Sequence, residues 1–436
     1  MTYQRIRYNA YPAPGEYSSG KEYTERLRVQ QSIPWPAYTV DVRDFGATGN
    51  GVADDTKAIQ AALDALPTVS DATWLYSPRG GTVRLPAGVY VLSSTLTLPR
   101  GCTLMGDGSE CTILLYTATT GDGVSFQRPN VAESRLPLIC LSGFTVAVKH
   151  GVTHTSGSLV HIDSADSTPG LASRIEVDDV YCYAGYEGFR LRNIQGGFVR
   201  HCHAAGCRAS GFVFRGFSTL LQMTDCYSSG NVSHGFDISG WAYCSAVACA
   251  SDSNTGDGWH IEQQSGDGSQ YSNDFQVGSE QSINALFTVN GLHGGRIEVF
   301  GIAGSTTVDG ISLTNCQGVT LYPWIETNAT ATGYPLKITD SGTTYGITVV
   351  GGFLGTFASG AHRLSGAALV TFLNGNGDSS STMGGQLKTV ASTTSHAGFN
   401  LPSGTAPTSP ADGDMWYDGT NVKFRVGGTT KTFTLT

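Results

Sequence analysis

Charge is scarce in this 436-residue chain. Asp, Glu, Lys and Arg together make up 14%, where about a quarter is usual for a soluble domain. The charge present leans acidic, with 26 Lys and Arg against 35 Asp and Glu for a net of −9. That balance excludes the basic face with which nucleic-acid binders neutralise phosphates, so no nucleic-acid partner is expected. No run approaches the 18 apolar residues of a membrane span, and no membrane partner is expected. The first residues, MTYQRIRYNAYPAPGEYSSGKEY, lack the apolar stretch and small-residue cleavage site of a secretory signal. Synthesis in a reducing cytosol follows as an expectation, so the ten cysteines read as free thiols rather than a disulfide framework. No CxxC pair accompanies them, and neither a metal nor another cofactor is expected.

Glycine, by contrast, is abundant at 57 residues, among short runs of Val, Ile, Phe and Tyr. This is the composition of brief strands joined by tight turns. The strands repeat. CYAGYEGFRL, CRASGFVF, CYSSGNVSHGFDI and CASDSNTGDGWHI each run from Cys through a polar turn to Gly, an aromatic and an alternating strand. The pairs Gly188-Phe189, Gly211-Phe212, Gly235-Phe236 and Gly258-Trp259 recur every 23 or 24 residues. The pattern continues more loosely at Ala285-Leu286, Gly310-Ile311 and Gly333-Tyr334. Such a period is too short for a propeller blade and carries no helical signature. It fits an all-β fold, a single-stranded parallel β-helix whose coils stack at about 4.8 Å. From Gly80 to Ser365 the period predicts about twelve coils. Cys202, Cys226 and Cys249 each precede their Gly by nine residues, which predicts an interior column of thiols. Trp259 is expected inside, in line with its Phe counterparts.

The segment DFGATGNGVADDTKAIQAALDAL (Asp44 to Leu66) has the outline of a phosphate loop but not its chemistry. Val52 stands where a Walker loop requires Lys, and Asp54 and Asp55 would repel a phosphate. They suit a helix start instead. Ile59, Ala62, Leu63 and Leu66 then form an apolar stripe, which predicts a helix capping the open first coil.

This segment, followed by GGTVRLPAGVYVLSSTLTLPRGCTLMGDG (Gly80 to Gly108), closely resembles the start of the pectate-lyase-like right-handed parallel β-helix superfamily. The resemblance is strongest to the bacteriophage tailspike and polysaccharide depolymerase branch. LPSGTAPTSPADGDMWYDGTNVKFRVGGTTKTFTLT (Leu401 to Thr436) resembles a short β module that closes phage tail-fibre chains. Asp418-Gly419 and Gly427-Gly428 predict small hairpins there. The expected domains are an arm over residues 1–38, a β-helix over 39–373, a linker over 374–399 and a β module over 400–436. The resemblance implies a homotrimer held by that module and an arm that attaches to a virion tail or baseplate protein. It places the protein on the virion tail, made in the host cytoplasm and released by lysis. It also implies a bacterial surface polysaccharide, capsule or O-antigen, as ligand. The branch includes hydrolases, lyases, epimerases and proteins without catalysis.

Chemistry has one obvious place to sit. Eleven acids lie between Phe217 and Leu336, with Arg296 the one Lys or Arg among them. Glu280, Glu298 and Glu326 fall in three successive coils. Adjacent members could form the carboxylate pair that glycoside hydrolysis needs, at one-rung or two-rung spacing. Trp241, Tyr243, Tyr271 and Trp324 are candidate sugar platforms. His293 and Arg296 are the candidates for a lyase-type base and cation. Hydrolysis by paired carboxylates is the favoured expectation. A non-enzymatic adhesive spike and a polysaccharide lyase or epimerase are the alternatives.

Overall fold

The computed structural model describes residues 39–66, 80–127, 138–163, 173–263 and 270–373, the last with short breaks, together with 404 and most of 407–433. The expected arm over 1–38 and the linker over 374–399 lie outside the described residues. Two compact units divide after Asp378.

The first unit is a right-handed parallel β-helix. Each coil places one strand in an eleven-stranded parallel sheet running from Leu96–Thr97 to Arg363–Ser365. The rest of each coil joins a 20-stranded sheet. Among the described residues this gives eleven full coils, and Leu369–Leu373 opens a twelfth. The corners recur as columns of left-handed residues. Asp179, His201, Asp225 and Ala248 have φ of 50–55°, and Ala184, Gly206, Gly230, Ser253 and Gln281 have 49–64°. Asn193, Gly216, Gly291 and Asn315 make a third column. A non-glycine residue in this conformation costs about 1–2 kcal/mol. The ladders on either side hold it there.

Inside the tube, like packs on like. Phe189, Phe212, Phe236 and Trp259 are in register on successive rungs. Their rings stack at centroid distances of 4.6, 4.9 and 3.9 Å. Trp259 is fully buried, and its Nε1 donates to the Gly278 carbonyl at 3.0 Å. Beyond Trp259 the column continues through Phe287, Ile311 and Leu336. The looser end of the sequence repeat, aligned at Leu286 and Tyr334, was therefore one and two residues early. Added loop residues displace the inward position there while the ladder keeps register.

Cys202, Cys226 and Cys249 form the expected interior column, each buried. Their thiols lie 3.2, 3.3 and 3.5 Å from the carbonyl two residues earlier. All ten cysteines are free. Beside them, Asn231 donates through Nδ2 to Asn254 Oδ1 at 2.8 Å, a buried polar rung that ties two turns together.

The helix Thr56–Asp64 covers the open end as its stripe predicts, with Ile59, Ala62 and Leu63 fully buried and Leu66 nearly so. Gln60 closes the edge: Nε2 donates to the Thr97 carbonyl at 3.0 Å and Oε1 accepts the Thr97 N–H at 2.9 Å. The two acids at its start divide their tasks. Asp54 accepts the Thr56 N–H at 3.0 Å. Asp55 turns back to accept the N–H groups of Thr48 and Gly49 at 2.7 and 3.1 Å. The glycine turn thus binds a carboxylate of its own chain, where a nucleotide loop would bind phosphate. None of the helices among the described residues is long and apolar enough to cross a membrane.

The second unit is a three-stranded antiparallel sheet of Met415–Tyr417, Val422–Val426 and Thr429–Thr432. Its turns fall at the predicted Asp418-Gly419 and Gly427-Gly428. Asp418 Oδ1 accepts the N–H groups of Thr420 and Asn421. Met415, Val426 and Phe433 remain exposed.

Candidate functional site

Four adjacent strands of the larger sheet, Ser245–Asp252, Gln270–Glu280, Leu292–Ala303 and Gln317–Thr327, carry every acid proposed from the sequence. Their alternation turns Phe275, Val277, Ile297, Val299, Leu321 and Ile325 into the tube and Phe300 and Trp324 outward, on the face that also carries the charged residues. Register then decides which of those outward side chains meet.

Asp252 pairs with Glu280, Glu280 with Ile302, and Ile302 with Glu326. Glu280 and Glu326 therefore share a column but lie two rungs apart, with an isoleucine between them. Glu298 belongs to a different column, in register with Gln276 and Tyr322. The three glutamates do not supply a pair from adjacent coils. Asp252 and Glu280 do, one rung apart. The sequence offsets concealed this because a bulge between Val247 and Cys249 shifts the register of the first strand.

Beside this pair runs a second column: Tyr227, Ala250, Gly278, Phe300, Trp324 and Phe353. Two rungs without a bulky side chain lie between walls of aromatic rings. Tyr227, Phe300, Trp324 and Phe353 are 37–47% exposed, and Trp324 and Phe353 contact each other at 5.6 Å. Gly278 is not required by the fold. Its φ is not left-handed, and a Cβ there would meet Ala250 and Phe300 only at ordinary contact distances of 3.5 and 3.9 Å. The missing side chain leaves a cleft.

The Tyr227 hydroxyl donates to Asp252 Oδ2 at 3.1 Å. Burial, that hydrogen bond and the Glu280 charge raise the phenol's pKa, so it remains a donor. Trp324 Nε1 donates to Glu326 Oε1 at 3.1 Å. Arg296 is bound to Glu298 and lies over the Tyr322 ring, 5.0 Å from its centroid.

Other sequence candidates fall elsewhere. Trp241 is fully buried between Phe214 and Phe275, so it is no sugar platform. The repeat turns it inward, and its bulk fills the tube. Tyr243 and Tyr271 are exposed, and Tyr271 contacts His293 edge-on at 5.5 Å. These three lie at the start of the strands, with Tyr271 nine residues from Glu280 along the chain. That is too far to share a sugar ring with the Asp252–Glu280 pair. His293 and Arg296 are three residues apart on one strand, but Arg296 is engaged by Glu298.

One cluster escaped sequence reasoning. On the eleven-stranded sheet, His260 Nδ1 is 2.6 Å from Oδ2 of the buried Asp257, and its Nε2 is 3.2 Å from Glu262. His234 stacks on His260 with ring centroids 4.2 Å apart. Burial alone would lower the His260 pKa. The Asp257 hydrogen bond and the charges of Asp257, Asp237 and Glu262 outweigh it and hold the group above its ordinary value. Burial and the neighbouring His260 lower that of His234. The three ligand-type groups of His234, Asp257 and His260 lie close together, but the arrangement suits a metal poorly. Parallel stacked rings do not aim their lone pairs at one point, and His234 Nδ1 already accepts the Asp257 N–H at 3.0 Å. The sequence signal was faint: His234 and His260 sit on opposite sides of the Gly-aromatic pairs of successive coils.

Comparison with known proteins agrees with the fold. Residues 39–260 match the sequence model of the family described as rhamnogalacturonase A/epimerase, pectate lyase-like, and the chain belongs to that family. Mannuronan C5-epimerase AlgE4 of Azotobacter vinelandii is 42% identical over 83 residues, 19% of this chain and 12% of that protein. The tail spike protein of Shigella phage Sf6 is 25% identical over 199 residues, 44% of this chain and 29% of the spike. The chain thus matches less than a third of either relative. Among solved structures, the A-module of the Azotobacter vinelandii epimerase AlgE6 has a TM-score of 0.54 at 18% identity, covering 78% of this chain and all of that one. The N-terminal fragment of bacteriophage Phi29 gene product 12 has a TM-score of 0.53 at 15% identity, covering 80% and 68%. At those identities the likeness is one of fold.

Proposed function

We propose that the chain is a tailspike-type β-helix protein that binds a bacterial surface polysaccharide in the cleft over Ala250 and Gly278 and hydrolyses it. The observation that carries this is the carboxylate pair of Asp252 and Glu280 on adjacent rungs, beside a floor of small residues between aromatic walls. One rung is about 4.8 Å, close to the 5–5.5 Å at which retaining glycosidases hold their two carboxyl groups. The roles follow from the hydrogen bonding. Asp252, held in place by the Tyr227 hydroxyl at 3.1 Å, is the nucleophile that attacks the anomeric carbon. Glu280 is the general acid that passes a proton to the departing glycosidic oxygen. As carboxylate it then takes a proton from the water that releases the sugar from Asp252. The rings of Tyr227, Phe300 and Trp324 hold sugar faces on either side.

The test is release of reducing oligosaccharides from host capsule or O-antigen by purified protein, with Asp252→Asn and Glu280→Gln as controls. Glycan binding with no release by wild type would leave an adhesive spike and defeat the hydrolytic reading.

A second reading is epimerase or lyase chemistry, supported by the family's description and the 42% likeness to AlgE4. The Asp257-oriented His260 would then be the proton-transfer group. Ultraviolet-absorbing products, or altered sugar stereochemistry without chain shortening, would identify it.

The family likeness and the Sf6 spike also support a virion-tail location, with the arm over 1–38 as attachment segment to a tail or baseplate protein. The exposed Met415, Val426 and Phe433 support self-association of the C-terminal sheet. A three-chain mass by light scattering, lost when residues 400–436 are deleted, tests the homotrimer.

A further inference from the structure

The ion pair between Arg296 and Glu298 bears on which polysaccharide the cleft accepts. On the four strands that carry it, the charged residues are Asp252, Asp274, Glu280, Glu298, Glu326 and Arg296, a net of −4. On these four strands Arg296 is the one permanent cation that could meet a sugar carboxylate, and it is doubly engaged. Its guanidinium is bound to Glu298 and lies over the Tyr322 ring. Both partners come from positions that register fixes, since Glu298 pairs with Tyr322 across the rung. A polyuronate laid along this face would meet carboxylates at Asp252, Glu280 and Glu326, each unscreened within a Debye length of about 8 Å. Repulsion of like charges is how protein surfaces reject wrong partners.

We infer that the cleft selects a polysaccharide without carboxylates, and that Glu298 is a specificity-determining residue that keeps Arg296 from recruiting acidic glycans. This rests on the glycan-cleft reading above, and it reassigns Glu298 from catalysis to selection. It also separates this chain from the relatives whose names specify mannuronan, a polyuronate. The aromatic column is indifferent to the distinction, because rings stack on any sugar face that presents C–H groups. Charge is therefore the discriminating feature of the cleft.

The experiment uses the full-length protein and the host surface polysaccharide it binds, in two forms. One is the native polymer, and the other has its primary hydroxyls oxidised to carboxylates. Binding of each is measured in low and high salt, with chelator present so that divalent ions cannot bridge carboxylates. Wild type should bind the oxidised polymer at least about tenfold more weakly at low salt, with the gap narrowing at about 0.5 M salt. Glu298→Gln, which frees Arg296, should narrow the gap at low salt by strengthening binding to the oxidised form. Glu298→Gln combined with Arg296→Gln should widen it again. Equal binding of both forms by wild type, an acidic native polymer, or no change of the ratio in Glu298→Gln would each overturn the inference. Failure of the parent reading has a different signature: no host polysaccharide is bound, or binding is unaffected when Gly278→Phe fills the cleft.

Discussion

Asp252 and Glu280 occupy the same register position on adjacent rungs, each the last residue of its strand, and each is followed by a left-handed residue, Ser253 or Gln281. The corner therefore fixes where each carboxylate leaves the backbone. Immediately before them, Ser251 and Ser279 point inward and hydrogen bond to each other through Oγ at 2.9 Å. The pair is anchored from below by a buried polar rung, which gives it the preorganisation that acid–base chemistry demands.

If this pair does the chemistry, Asp252→Asn and Glu280→Gln should each lower oligosaccharide release by roughly 10²–10⁴-fold. Glu326→Gln, two rungs from Glu280, should change it by less than about tenfold. A reducing-end assay on purified full-length protein measures all three. Equal losses in all three would argue against a one-rung pair.

Filling the cleft should separate binding from folding. Gly278→Phe adds a side chain where the backbone tolerates one, so the melting temperature should stay within a few degrees of wild type while glycan binding is lost. A large fall in melting temperature would show instead that the glycine serves packing.

The stacked interior is expected to be far less forgiving. Trp259→Ala removes a ring buried between Phe236 and Phe287 and leaves the Gly278 carbonyl without its donor. The expected loss is about 3–5 kcal/mol, read as a lowered denaturant midpoint.

Stability should depend on pH through His260. Its pKa in the folded protein is raised, so the folded state holds the proton more tightly than the unfolded chain. Its contribution is then fully present below the ordinary histidine value of about 6.5 and is lost as pH rises through the folded pKa. His260→Gln should accordingly lower the melting temperature more at pH 5.5 than at pH 8.5. His234, whose pKa is lowered by burial and by His260, has the opposite sign: it opposes folding as pH falls below about 6.5. A His260→Gln deficit that grows with pH would refute the assignment.

Thiol reactivity should follow position in the coil. Burial pushes Cys102, Cys207 and Cys244 up to about 12 and Cys140 to about 11, whereas Cys111 is exposed. Native protein should show one fast-reacting thiol toward a disulfide reagent at neutral pH, and ten after denaturation. Fewer than ten in the denatured, unreduced protein would reveal a disulfide.

Much of this was legible in the residues. The period of the Gly-aromatic pairs carries the coil, the Cys202, Cys226 and Cys249 spacing carries an interior column, and the stripe from Ile59 to Leu66 carries the cap. These are local regularities, and a stacked repeat turns local regularity into architecture because each coil touches only its neighbours. Their inward or outward sense follows from strand alternation alone. Trp241 was misread because its segment is too short, two residues at Trp241–Ala242, for alternation to show which way it points.

What the residues could not decide was the pairing of side chains between coils. Coil lengths vary and a bulge interrupts one strand, so sequence offsets do not give register. Hydrogen-bonded pairing does, and a shift of one residue sends a side chain to the other face of the sheet. Local residue patterns alone specify a β-helix with an acidic, aromatic-bearing stretch. Only the stacking of coils decided that Asp252, rather than Glu298, stands beside Glu280, and that Arg296 is held by Glu298. Cross-rung neighbours lie about 25 residues apart in the chain, and the ladder alone brings them within about 4.8 Å.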